Sequence, residues 1–215
     1  MVSVPGDSVD AANALTVAVA AACDGDDDAF RTVYRCVHPP LLRYLRTLIG
    51  GDAEDVASET WLQITRDLRT FRGGGDAFRG WAATIGRHRA LDHIRYHQRR
   101  AVVVVSTEEF AERSARDDTS VDGVDALGSE RALSFIRLLP PDQAEAVLLR
   151  VIMGLDATTA AQVLGKRAGA VRTASYRGLR RLAALMTDSE PIDAKRREPR
   201  RAVTPAPVWT LKGTR

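Results

Sequence analysis

Between Arg87 and Arg100 the chain carries five arginines against one acid, Asp92. His88, His93 and His97 stand among them. Two kinds of chemistry are open to such a stretch. Guanidinium groups clamp phosphates, while imidazole, carboxylate and phenol groups can reach base edges. On that division Arg87, Arg89, Arg95, Arg99 and Arg100 are candidate phosphate clamps, and His88, Asp92 and Tyr96 are candidate base readers. Asp92 can also pair with Arg95 at i,i+3. The second possibility is a metal: His93 and His97, four residues apart, could offer two ring nitrogens. The sequence has no HExxH, no cysteine nearby and no evident third ligand. No metal or cofactor is therefore expected, and the pair is read as facing DNA or solvent.

Two further groups stand out. Lys166, Arg167, Arg172, Thr173, Arg177 and Arg180 lie on or just before a long C-terminal helical stretch. Arg167 and Arg172 could contact guanine bidentately, with Arg177 and Arg180 on phosphate or packing inward. Asp52, Glu54, Asp55 and Glu59 crowd a helix start, where capping and the helix dipole favour acids. The chain shows no Ser/His/Asp set and no phosphate-binding glycine loop, so no covalent chemistry is expected.

The elements that must position these groups are helical. From Phe78 the apolar residues recur at Trp81, Ala82, Ile85, Leu91 and Ile94, steps that place them on one side of a helix with a possible bend near Gly86. Val56, Trp61, Ile64 and Leu68 make a similar stripe, as do Phe30, Val33, Tyr34 and Val37 before Pro39-Pro40, which should break that helix. Ala11–Ala22 is a further alanine-rich helix. Towards the C-terminus, Pro141 suits a helix start, Asp156–Leu164 is short and helical, and Gly165 suits the left-handed position before a basic helix from Ala168 to Met186. Helix, glycine turn and longer basic helix make a helix-turn-helix pattern. No segment alternates with period two. Val102–Val105 is the single β-like run and a poor strand.

Net charge is only +3 over 215 residues, but it is unevenly spread. Residues 26–100 hold thirteen basic against ten acidic side chains, residues 130–186 nine against four, and residues 101–128 two against seven. The expected architecture is all-α: a flexible tail (1–10), a helical domain (11–100), a flexible acidic linker (101–128), a helix-turn-helix domain (129–186) and a flexible Pro-rich basic tail (187–215). Cys23 and Cys36 are the only cysteines and read as buried reduced thiols. The N-terminus lacks a positive n-region, and the apolar run Ala14–Cys23 is too short to span a bilayer, so a cytoplasmic protein is expected.

Two blocks together resemble the bacterial extracytoplasmic function (ECF) sigma factors. In the first, Ala53-Glu54-Asp55-Val56, Trp81, Ile85, Arg87, Asp92 and Arg95 stand where that family's promoter-melting domain asks. The second, LLPPDQAEAVLLRVIMGLDATTAAQVLGKRAGAVRTASYRGLRRL, is similar to its C-terminal helix-turn-helix. The resemblance implies a polymerase subunit with no catalysis of its own. It implies docking on the core RNA polymerase, at the β′ clamp and β flap, with Asp52, Glu54, Asp55, Glu59, Trp61 and Gln63 as the core-binding residues on the helix that meets the clamp. Melting and −10 recognition would fall to Arg72, Phe78, Arg79 and the residues from Arg87 to Arg100 named above. The glycine loop after Phe71 would help hold an unstacked base, a contact of ~1–3 kcal/mol on an aromatic, while Trp81 is read as core. Recognition of the −35 element would fall to Lys166, Arg167, Ala168, Ala170, Arg172, Thr173 and Arg177. An anti-sigma partner is implied as well. The match has departures at His88, Thr159, Arg167 and Ala174, which bear on promoter sequence rather than fold. The alternative is an autonomous helix-turn-helix regulator that binds duplex DNA without polymerase.

Overall fold

The computed structural model describes residues 5–104 and 132–188, and every regular element among them is helical. Helix α1 (Pro5–Cys23) leads to α2 (Asp27–Ile49), a 3-10 turn (Gly50–Asp52), α3 (Ala53–Asp67), a second such turn (Leu68–Thr70) and α4 (Gly75–Val104). A helical segment over 132–137 then precedes α5 (Pro141–Val147), which continues as a π-helical turn (Leu148–Ile152). Helices α6 (Ala157–Leu164) and α7 (Ala168–Asp188) complete the helix-turn-helix. The linker after Val104 and the tail after Asp188 lie outside the described residues.

The helix starts follow local chemistry. Asp26 accepts from the backbone N–H groups of Asp28 and Ala29 at 2.9 and 3.0 Å and so caps α2. Asp156 does the same for α6, accepting from Thr159 N at 2.6 Å. Those backbone bonds hold the Asp156 carboxyl below the usual aspartate range. Gly165 sits in the left-handed region (φ 64°, ψ 33°), as the turn into α7 demands.

Four expectations need correction. Helix α1 begins at Pro5 rather than near Ala11; proline is favoured in a first turn because its missing N–H has no helical partner there. Helix α2 runs straight through Pro39-Pro40. The two carbonyls those prolines leave unbonded belong to Arg35 and Cys36, both exposed, so water can satisfy them. Burial of Val33 and Val37 before the prolines, and of Leu41, Tyr44 and Leu45 after them, ties both halves to the same core. Helix α4 continues past Arg100 to Val104, so three of the four valines are helical. Cys36 is exposed and Cys23 only half-buried, so neither is a buried core thiol.

The core of the N-terminal bundle is α2, α3 and α4, with Leu15, Val19 and Ala22 of α1 against it. Gly86 lets α4 lie close: a Cβ there would stand 3.1 Å from Leu41 Cδ1. In the C-terminal block, Gly178 does the same for α7 on α5, where a Cβ would be 2.7 Å from Val147 Cγ2. The two blocks are not apart in space. Their buried side chains form one cluster, and α4 packs on α6. A Cβ on Gly80 would come within 2.4 Å of Thr159 Cγ2. Across the same contact Arg87 donates twice to Glu145, at 3.0 and 3.2 Å, and Arg137 donates to the Arg46 carbonyl at 3.1 Å.

Candidate nucleic-acid interface

Helix α4 divides into two halves of different character. In the first half Phe78 is fully buried, edge-on to Phe71 (5.4 Å between centroids) and to Trp81 (5.6 Å). It therefore anchors α4 and offers no face to a base, contrary to its sequence assignment. Phe71 stacks on Trp81 at 5.0 Å, and both are half-buried. Arg79 pairs with Asp76 at 3.3 Å, and Arg72 turns back to the carbonyls of Arg69 and Phe71. Arg87 is taken by Glu145, with the Tyr44 hydroxyl buried beside the pair. Burial opposes the Arg87 charge, but the Glu145 carboxylate outweighs it and raises the pKa. Burial also pushes the Tyr44 phenol well up, so it stays neutral.

The second half is open. His88, Asp92, Arg95, Tyr96, Arg99 and Arg100 are exposed on α4. Asp92 holds Arg95 at 3.1 Å, as the i,i+3 spacing suggests. Arg100 donates to the Tyr96 hydroxyl at 3.0 Å and lies 5.4 Å from its ring centroid. Arg89 instead turns to α3, donating to Gln63 Oε1 at 2.9 and 3.3 Å, with Glu59 at 3.6 Å.

The acidic start of α3 is equally mixed. Asp52 meets His93 at 3.0 Å and Glu54 meets Arg46 at 2.7 Å. Asp55 is exposed. Trp61 is buried, packed on Phe30 and Tyr34, and its Nε1–H donates to His38 Nδ1 at 3.1 Å. Burial holds the His38 pKa below the ordinary imidazole range. Trp61 thus supports α3 rather than presenting itself. Sequence reasoning missed Leu62, which is 60% exposed and shares a face with Asp55 and Glu59. Its signal was available: Leu62 falls outside the Val56–Trp61–Ile64 stripe.

On α7 and the turn before it, Arg167, Ala170, Arg172, Thr173 and Arg177 are exposed. Lys166 is held by Asp142 at 2.7 Å, and Ala168 packs inward on the core. Of the departures, Ala174 also packs inward and Thr159 faces Gly80 across the contact between blocks. Tyr176, 62% exposed with the Arg180 guanidinium 6.0 Å from its ring, was not singled out by sequence.

Residues 33–100 match the family model for sigma-70 region 2, and residues 129–182 match that for sigma-70 region 4. The ECF RNA polymerase sigma factor SigD of Mycobacterium tuberculosis is 33% identical over 175 residues, covering 78% of this chain and 82% of that protein. The chain belongs to the ECF family of RNA polymerase sigma factors. The ECF sigma factor BldN of Streptomyces coelicolor is 35% identical over 167 residues, 76% of this chain, which spans 62% of that relative's length. In fold the chain resembles the solved CnrH, in complex with the cytosolic domain of CnrY, with a TM-score of 0.56, 22% identity, and 82% and 99% of the two chains covered. Sigma factors are not catalysts, and these matches favour a sigma factor over an autonomous regulator. Among the described residues no helix is long and apolar enough to cross a membrane.

Proposed function

We propose that this ECF sigma factor binds core RNA polymerase, directs it to promoters in the cytoplasm and stabilises melted DNA there. The observation that carries this reading is the order of the two sigma regions on one chain, each with an exposed helix face of suitable chemistry. On α3, Asp55, Glu59 and Leu62 combine acids with an apolar side chain, which suits a docking face on the polymerase clamp. On α7, Arg167, Arg172, Thr173 and Arg177 suit the major groove at the −35 element. The open half of α4 suits the −10 element, with His88, Asp92 and Tyr96 at bases and Arg95, Arg99 and Arg100 at phosphates.

The packing of α4 on α6 adds a condition. Arg79 and Arg87 lie in or beside the contact with the second block, so the first half of α4 meets DNA only when the blocks separate. The conformation described is then a closed one, in which α7 is already available and part of the melting surface is covered. An anti-sigma partner that holds the blocks together would act on this equilibrium. The test is to add the purified chain to core polymerase and genomic promoter fragments. Specific run-off transcripts support the reading. Duplex binding by the chain alone, with no transcript on adding core, would replace it by the autonomous regulator.

A further inference from the structure

The structure brings a third ligand to the histidine pair. His93 and His97 share a face of α4, with ring centroids 4.3 Å apart. Asp52, from the 3-10 turn between α2 and α3, reaches the same point: its Oδ2 lies 3.0 Å from His93 Nε2. One potential ligand atom from each of the three residues falls within 4.8 Å of the other two. We propose that Asp52, His93 and His97 form a binding site for a divalent first-row transition metal of the Zn²⁺ type.

The chemistry of the donors selects the class of ion. Two imidazoles and one carboxylate suit Zn²⁺ and its neighbours, whereas Ca²⁺ and Mg²⁺ take all-oxygen shells. Zn–N and Zn–O bonds of about 2.0–2.2 Å put neighbouring tetrahedral ligands about 3.3–3.5 Å apart. The Asp52–His93 separation is already near that edge, and His97 needs only a side-chain adjustment of order an ångström. Asp52 and His97 are exposed, so a fourth position faces solvent and can hold water. The two histidines are on one rigid helix and Asp52 is on a short turn, so metal binding joins α4 to the start of α3. It would fasten the open, DNA-facing half of α4 to the helix with the candidate docking face. It would also add positive charge beside Arg95, Arg99 and Arg100. The site stands on its own geometry, whether or not the promoter reading holds.

A simple Asp52–His93 hydrogen bond would give His97 no part, and the test exploits this. The full-length chain, stripped with a chelator, is titrated with Zn²⁺ by calorimetry and with Co²⁺ by visible absorption. The proposal expects one Zn²⁺ per chain and the d–d bands of low-coordinate Co²⁺. His97→Ala and His93→Ala should each weaken binding at least tenfold, and Asp52→Asn should weaken it too. Cys36→Ser should leave it unchanged, which excludes the exposed Cys36 thiol as a ligand. Saturating Zn²⁺ should raise the melting temperature of the wild type but not of His97→Ala, because a ligand of the folded state alone stabilises it. Circular dichroism of each variant checks that α4 is intact. Absence of stoichiometric binding, or binding that survives His97→Ala, would overturn the site.

Discussion

Replacing Glu145 with alanine should strengthen DNA binding, although Glu145 is an acid remote from the open half of α4. Glu145 holds Arg87 across the contact between the two blocks. Breaking a fully buried ion pair by removing one partner costs about 3–5 kcal/mol. Here the side chains of Arg87 and Glu145 keep 19% and 15% exposure, and Arg87 regains water if the blocks part. A loss of about 1–2 kcal/mol from the closed form is therefore the scale, nearer that of a hydrogen bond to a charged group. This shifts the closed-to-open ratio by about 5–30-fold. Where the closed form dominates, affinity for a single-stranded −10 oligonucleotide should rise by the same factor, because binding is limited by the competent fraction. Arg87→Ala opens the contact too but deletes a proposed phosphate clamp, so it should not show that gain. Gly80→Ala gives an independent check. Its Cβ collides with Thr159, while alanine improves the helix by about 1 kcal/mol, so opening cannot be ascribed to a weakened α4. Solution scattering should show a larger radius of gyration for Glu145→Ala and Gly80→Ala, and fluorescence anisotropy the tighter oligonucleotide binding. An unchanged radius together with unchanged or weaker binding for Glu145→Ala would refute the reasoning.

Other faces give further expectations. Asp55→Lys with Leu62→Asp should cut core-polymerase affinity by at least about tenfold, the scale of a lost interface hot spot, while leaving the fold intact because both side chains are exposed. Wild-type affinity in a competition assay would remove α3 from the docking face. Arg172→Ala should cost about 1–3 kcal/mol at one base position of the −35 element; an unaltered upstream footprint and base preference would demote it. Trp61 donates to His38 Nδ1, which must therefore be unprotonated, and burial already depresses that pKa. The unfolded chain then binds the proton more readily. Stability should be full above the ordinary imidazole range and fall as the pH drops below it, because the folded-state pKa is the lower of the two. His38→Phe should flatten that dependence in thermal melts, and an equally steep profile would contradict it.

Much of the fold was legible because the apolar spacing and helix stops agree. The Val56–Trp61–Ile64 stripe, the Pro141 helix start and the Gly165 turn all stand where local physics places them. Pro39-Pro40 misled, because a local rule cannot see the shared core that holds α2 together on both sides of the prolines. Site residues were legible as types but not as states. Arg87 reads as a free cation in sequence, yet its partner lies 58 residues away in the other block. Trp61 reads as a docking residue and Phe78 as a DNA contact, and burial removes both from the surface. The histidine pair lacked a third ligand only because Asp52 is 41 residues away along the chain. Leu62 and Tyr176 were passed over because an exposed apolar residue is recognised by what it fails to cover.

The most direct measurement is permanganate reactivity of thymines in a promoter selected by run-off transcription. With core polymerase and this chain together, thymines around the −10 element should become reactive. Core alone and chain alone should leave them unreactive. Protection of the upstream duplex by the chain alone, with no reactive thymines when core is present, would contradict a sigma factor that opens promoters.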